Sequence, residues 1–568
     1  VLWAPCSMED VKNVLADNIL PREVKSTIAQ AFREEPLETQ PEQAELDDVR
    51  CSFQAKGRLV LQDPSVQVFA AKVGLFVART STGWVETWGR REHAFPGASP
   101  KTDLSLGLRG LFSTSRAFAA IRSDGSVVTW GDPSFGGNCA SIGEHLRAGI
   151  KDIRSTNAAF AALRKDGAVF TWGHEAYGGS SKHLKKQIVI GVKEVFATFF
   201  AFAAVKKNGS VISWGDPSYG GDCTLLSKQL KSGVSTITST CWAFAAIKSK
   251  GAVHVWGCCD LGAQSAAIQE QLKNDVKAVY STNAAFAAIK HGGEVVSWGD
   301  AHFGGDSSGV KDALAEGVEM IVSTQSAFAA VKDSGAVITW GNPEEGGDSS
   351  AVRESLLVGV RDLFATSSAF AAVKVEGSVC CWGDPARGGD RAYNAEHSNG
   401  THAGARVALF DTDELSSGVV TIYSTAAAFA ARKQNGSLLT WGHRECGGDS
   451  SAIRTFLIDA IVEVYATDFA FTAFRRDGSV ITWGDGDAGD CDALVEEFCP
   501  EVSDLTLPGF DHNEKDEDKK HSLPSNCSTI GTGEVLAVGS FADSEEDLDH
   551  LWYSSRDETQ NDKSKPTL

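Results

Sequence analysis

No apolar run in this sequence is long enough to cross a bilayer as a helix. Its start, Val1-Leu-Trp-Ala-Pro-Cys6, lacks the basic beginning and long apolar core of a secretory signal. It opens on valine, as a fragment or a processed chain does. No CxxC pair and no even cysteine framework occurs. The 13 cysteines are scattered without period and include the neighbours Cys258-Cys259 and Cys380-Cys381. They read as free thiols in a reducing compartment, and the expected location is the cytoplasm. Positive charge is scarce. Lys and Arg number 53 against 74 Asp and Glu, for a net charge of -21. That balance argues against a surface built for nucleic acid or for an anionic membrane. No nucleophile–base constellation stands out, so the chain reads as no enzyme, with no cofactor.

What is present is a repeat. A Trp-Gly pair recurs at Trp88, Trp130, Trp172, Trp214, Trp256, Trp298, Trp340, Trp382, Trp441 and Trp483. The step is 42 residues except between Trp382 and Trp441, where it is 59. A Phe stands 12 residues before each tryptophan, from Phe76 to Phe471. A fixed period of this size marks a stacked-repeat architecture. Within the unit Gly317–Gly359, Val318–Ser323 alternates apolar and polar, as a half-buried strand does. Ala327–Lys332 is a second short apolar run, Asp333-Ser-Gly335 a hairpin turn, and Ala336–Trp340 a third strand. Gly341–Gly347 is a loop. Val352, Leu356 and Leu357 then fall at helical spacing, with Asp348 or Ser349 as cap and Gly359 at the helix end. A lone three-stranded sheet cannot bury its faces, so neighbouring units must stack.

Along the chain, residues 7–34 read as helical and 34–48 as an acidic linker. Cys51–Leu61 reads as a hairpin that starts the array or pairs with its end. The first repeat is degenerate: Lys72 stands where later copies carry Thr114 through Thr467. A polar insertion of 17 residues lies at 391–407. From Ser503 the composition turns polar and acidic, and 504–568 is expected to be disordered, with Gly533–Phe541 a stray strand. Three segments follow: 1–50 helical with its linker, 51–503 the ten-repeat domain, and 504–568 the tail.

The pattern Ala-x-x-x-Asp-Gly-x-Val-x-x-Trp-Gly, as at Ala120–Gly131, resembles the repeat of the regulator-of-chromosome-condensation family. The resemblance covers roughly residues 65–500 and implies an all-β, propeller-like array of ten three-stranded repeats, each with a short helical segment. Two motifs depart from the family: Ser323–Phe328 replaces its Gly and His, and Gly346-Gly-Asp-Ser349 replaces its Gly-Gln-Leu-Gly. Ten units also exceed its usual seven blades, so a ring, a split arrangement and an open spiral all remain open.

Trp130, Trp172, Trp214, Trp256, Trp298, Trp340, Trp382, Trp441 and Trp483 read as packing residues. Trp84 and Trp242 stand off the period and do not make a cluster. The aspartates after Trp-Gly and Gly-Gly read as turn and helix caps rather than metal ligands. Between the conserved-position Thr and Ala-Phe, a residue pair changes from copy to copy. It supplies a candidate binding rim: Arg116, Asn157, Phe199, Phe200, Trp242, Asn283, Gln325, Asp468 and Phe469. The same pair also fits an unconstrained strand-to-strand bend. The expected function is a non-catalytic scaffold binding a protein of unknown identity. The family resemblance implies two alternatives, a guanine-nucleotide exchange factor for a small GTPase and the substrate-binding part of a ubiquitin ligase.

Overall fold

The computed structural model describes residues 58–60, 67–71, 74–79, 85–89, 104, 107–390, 412–476 and 479–484. The chain forms two compact units, Val1–Ala55 and Lys56–Leu568, and every described residue belongs to the second. The readings of 7–34, 34–48, 391–407 and 504–568 fall outside the described residues.

Each repeat is one antiparallel sheet of three strands in chain order. In the seventh these are Val318–Ser323, Ala327–Lys332 and Val337–Gly341. Phe328 pairs with Trp340 across the second and third strands, and their rings stack at 5.2 Å. The middle strand is buried on both faces over its first five residues. Ala327, Ala329 and Val331 on one face share a core with Phe370, Ala372 and Trp382 of the next repeat. Small side chains on one sheet let the aromatic pair of its neighbour come close, which is why the middle strand reads Ala-Phe-Ala-Ala with little variation.

First strands of successive repeats touch all the way round, the tenth also meeting the first. Radiating sheets converge toward their axis, so these strands are the inner ones. Arg58–Val60 adds a fourth strand to the last sheet, pairing antiparallel with Ser479–Gly484. Val68, Phe76 and Ala78 of the first repeat share a core with Phe469, Ala470 and Val480 of the tenth. Of the arrangements the sequence left open, the structure takes the closed one. Part of the expected Cys51–Leu61 hairpin is this closing strand.

The segment after each third strand differs from the expected α-helix. It is mostly 3-10 turns, as at Ser350–Leu356, with an α-helical turn at Lys185–Ile188. Leu356 is buried, but Leu357 faces solvent. Asp348 Oδ1 accepts from the Ser350 N–H, so the turn is capped by the aspartate and not by Ser349. One or two buried aliphatic side chains per segment, such as Leu356, Ile188, or Ile453 with Leu457, are too little apolar surface to order a longer helix.

Candidate functional site

The ring has two ends. At the loop end lie the bend between first and second strands and the loop after Trp-Gly. At the turn end lie the Asp-Gly-type hairpins and the junction into the next first strand.

The loop end is where each repeat grips its neighbour. Thr324 Oγ1 accepts from the Ala327 N–H at 3.0 Å and donates to the Glu345 carbonyl at 3.1 Å. The bend and the loop are thereby pinned together, and the same contacts recur from Thr114 to Thr425. Gly346 has φ +99, and a Cβ there would stand 2.6 Å from the Phe370 ring of the next repeat. A Cβ on Gly347 would stand 2.4 Å from the Gly341 carbonyl oxygen. The Gly346 carbonyl accepts from Trp382 Nε1 at 3.0 Å. Gly-Gly is therefore needed for close approach at both positions, and Trp382 lies in the core shared by the seventh and eighth repeats.

The fifth repeat breaks this rule. Gly262-Ala263 stands in place of Gly-Gly, and the Ala263 methyl cannot take the position of the second glycine. The loop Cys259–Ala263 opens into a wider turn, with the Gln264 N–H reaching the Cys259 carbonyl. Trp298 Nε1 of the next repeat is buried and has no partner.

The rim pairs occupy two different places. At the first position, successive backbones form a ladder: Ser115 N–H donates to the Asn157 carbonyl, Asn157 to Phe199, Phe199 to Cys241, and so on to Asp468. Asn157, Phe199, Gln325 and Asp468 are buried in it, and Asn283 is half-buried. The backbone holds this position whatever side chain it carries, which is why the residue can vary. At the second position Arg116 is exposed, Trp242 half-buried, and Phe200 and Phe469 buried. The Arg116 guanidinium lies over the Phe135 ring at 5.0 Å.

In repeats three to five the loop end becomes aromatic. Phe200 packs on Tyr177 at 5.0 Å, on Tyr219 at 4.7 Å and on Trp242 at 5.5 Å, and Trp242 also meets Phe199 at 5.5 Å. Tyr177, Tyr219 and Trp242 are half-exposed over the buried phenylalanines. Trp242 thus sits in an aromatic cluster of phenylalanine and tyrosine rings, not of tryptophans. The cluster joins side chains of the third, fourth and fifth repeats, and the available signal was that Tyr177 and Tyr219 share the loop position just before Gly-Gly.

Among the described residues, acidic side chains outnumber basic ones several-fold in these bends and loops, where Arg116, Arg387 and Arg444 are the arginines and no lysine occurs. Asp132, Asp216, Asp300 and Asp384 each accept from a backbone N–H two residues on, as turn caps do. Asp468, buried in the ladder, and Glu345 are not fully solvated. Burial pushes the Glu345 carboxyl above the usual carboxylate range, against the hydrogen bond it accepts from Ser326. Among the described residues no three His, Cys, Asp or Glu come together to hold a metal ion. No helix among them is long and apolar enough to cross a membrane.

No protein-family model matches the chain. No curated protein matches it either. Among solved structures, the ectodomain of the Physcomitrella patens receptor kinase CR4 is 16% identical, covering 53% of this chain and 75% of that one at a TM-score of 0.29. Prp20p from Saccharomyces cerevisiae, a yeast regulator-of-chromosome-condensation protein, is 15% identical over 57% and 93% at 0.29. Human WBSCR16 is 17% identical over 60% and 90% at 0.28. Overlap at this level carries no argument. The propeller-like repeat fold stands on the strand order and closure described above.

Proposed function

We propose that this chain is a non-catalytic protein-interaction scaffold whose loop end takes a positively charged segment of a partner protein. The carrying observation is the half-exposed Tyr177–Tyr219–Trp242 surface, set on buried phenylalanines and bordered by acidic loops. Rigid aromatic anchors in a polar rim are the usual source of binding energy at protein interfaces. Aromatic faces attract cations, and the second repeat already holds one there, with Arg116 over Phe135. A partner's arginine or lysine on Trp242 would make the same contact in trans. Cys139, Cys223, Cys258 and Cys259 are free thiols, which supports a cytoplasmic setting.

The test is fluorescence anisotropy of a labelled arginine-rich peptide against the full chain. Saturable binding that weakens with salt is expected. Trp242→Ala is expected to cost about 2 kcal/mol of affinity, the size of an interface hot spot. No binding, or binding indifferent to Trp242→Ala, overturns the reading.

A further inference from the structure

The net charge of the chain conceals a polarity between its two ends. From the second repeat to the tenth, every middle strand finishes at the turn end in Arg or Lys, from Arg122 to Arg475. Nine large apolar side chains are exposed among the described residues, and all but Leu225 lie at this same end. A face that is both cationic and apolar is not what solubility alone produces.

The two properties meet most closely between the third and fourth repeats. Val189 and Ile190 are 49% and 66% exposed, directly after the short helical turn Lys185–Ile188 that carries Lys185 and Lys186. The Lys207 N–H donates to the Gly191 carbonyl, and the Val192 N–H to the Gly167 carbonyl. Those bonds bring Lys165, Ile190 and Lys207 side by side. Asp166, the nearest acid in the hairpin, is already paired with Arg164 at 2.8 Å. The lysines in ion pairs among the described residues are Lys273, Lys290 and Lys374, so the lysines of this patch keep their charge unneutralised.

We infer that this patch docks an acidic amphipathic segment of a protein partner, its carboxylates on Lys165, Lys185, Lys186 and Lys207 and its apolar side chains on Val189 and Ile190. Charge complementarity selects an anionic occupant, and the two aliphatic side chains select one with apolar groups of its own. A nucleic-acid strand fits less well. Its bases stack on aromatic or guanidinium planes, and the one arginine here, Arg164, is held by Asp166 and by the Phe170 ring. The site is separate from the aromatic loop end, so the molecule would bridge a basic partner at one end and an acidic one at the other.

Three labelled probes against the full chain test this by anisotropy: a glutamate-rich peptide with leucines at i, i+4 spacing, the same peptide with serine for leucine, and single-stranded oligothymidylate. The leucine peptide is expected to bind and the other two far less. The double change Lys185→Glu, Lys186→Glu and the single change Ile190→Ser are each expected to weaken it about tenfold, or 1.4 kcal/mol. Both sites are exposed, so the thermal midpoint should hold. Trp242→Ala should leave this affinity unchanged, which keeps the two faces distinguishable. Absent binding, equal binding of the serine peptide or the oligonucleotide, or indifference to both patch variants overturns the inference.

Discussion

The loop end and the turn end are built from the same ten copies, yet they solve different problems. At the loop end a threonine clamp pins bend to loop within each repeat, and the Gly346 close approach and a tryptophan N–H lock that repeat to the next, so side chains there are under tight steric control. At the turn end, neighbouring repeats are joined mainly by backbone bonds such as the Val360 N–H to the Gly335 carbonyl. Side chains there are free to face solvent, and the exposed aliphatics gather there. The difference teaches where the sequence can change without cost to the fold: the turn end, and those loop-end positions whose hydrogen bonding is carried by backbone alone.

The sharpest way to break this contrast is Gly346→Ala. The new methyl would meet the Phe370 ring at 2.6 Å in a backbone of φ +99. A loss of ~3 kcal/mol or more is expected from strain and overpacking together. Gly309→Ala, where nothing lies within 4 Å, should be neutral or slightly stabilising. Urea unfolding midpoints of the two variants decide it, and equal midpoints would refute the close-approach account.

Thr324→Val keeps shape but removes the hydroxyl from a fully buried site, leaving the Ala327 N–H and the Glu345 carbonyl without their partner. The expected cost is ~2 kcal/mol, again read from chemical unfolding. At the turn end, Val375→Ser removes a side chain that is 69% exposed and should stay within about 0.5 kcal/mol of the parent.

A finer comparison lies within the loop end. Trp340 Nε1 donates to the Gly304 carbonyl at 3.0 Å, whereas Trp298 Nε1 has no partner. Trp340→Phe should therefore cost ~1 kcal/mol more than Trp298→Phe, the value of one buried hydrogen bond. Equal costs would mean that the tryptophan contributes through packed area alone.

The smallest effect concerns pH. Burial raises the Glu345 carboxyl above its ordinary value, so the folded state binds its proton more tightly than the unfolded state does. Stability is then higher below the ordinary glutamate pKa and falls as pH rises from that value through the raised one. Glu345→Gln should remove this slope and leave the protein slightly more stable near neutrality. An unchanged slope across a pH series of melts would contradict it.

Much of the repeat could be read in advance because its causes are local. Phe328 and Trp340 meet across adjacent strands, Asp132 and Asp384 cap turns two residues away, and Gly335 turns a hairpin at φ +73. The candidate site was legible only in part. Phe199, Phe200 and Trp242 stood out as variable, but sequence spacing could not separate a buried ladder position from an exposed one. Nor could it place Tyr177 against Phe200, since that contact crosses from one repeat to the next.

The period, the three strands, the aromatic pair and the need for glycine follow from sequence alone, because each is settled within a repeat or against one neighbour. Closure is different in kind. Whether Arg58–Val60 reaches Ser479–Gly484 depends on a small rotation between sheets accumulated over ten copies, and no local pattern encodes that sum. The same holds for the charge polarity. A chain of net charge -21 shows a cationic, apolar face only once the strands have carried their two ends to opposite sides of the ring.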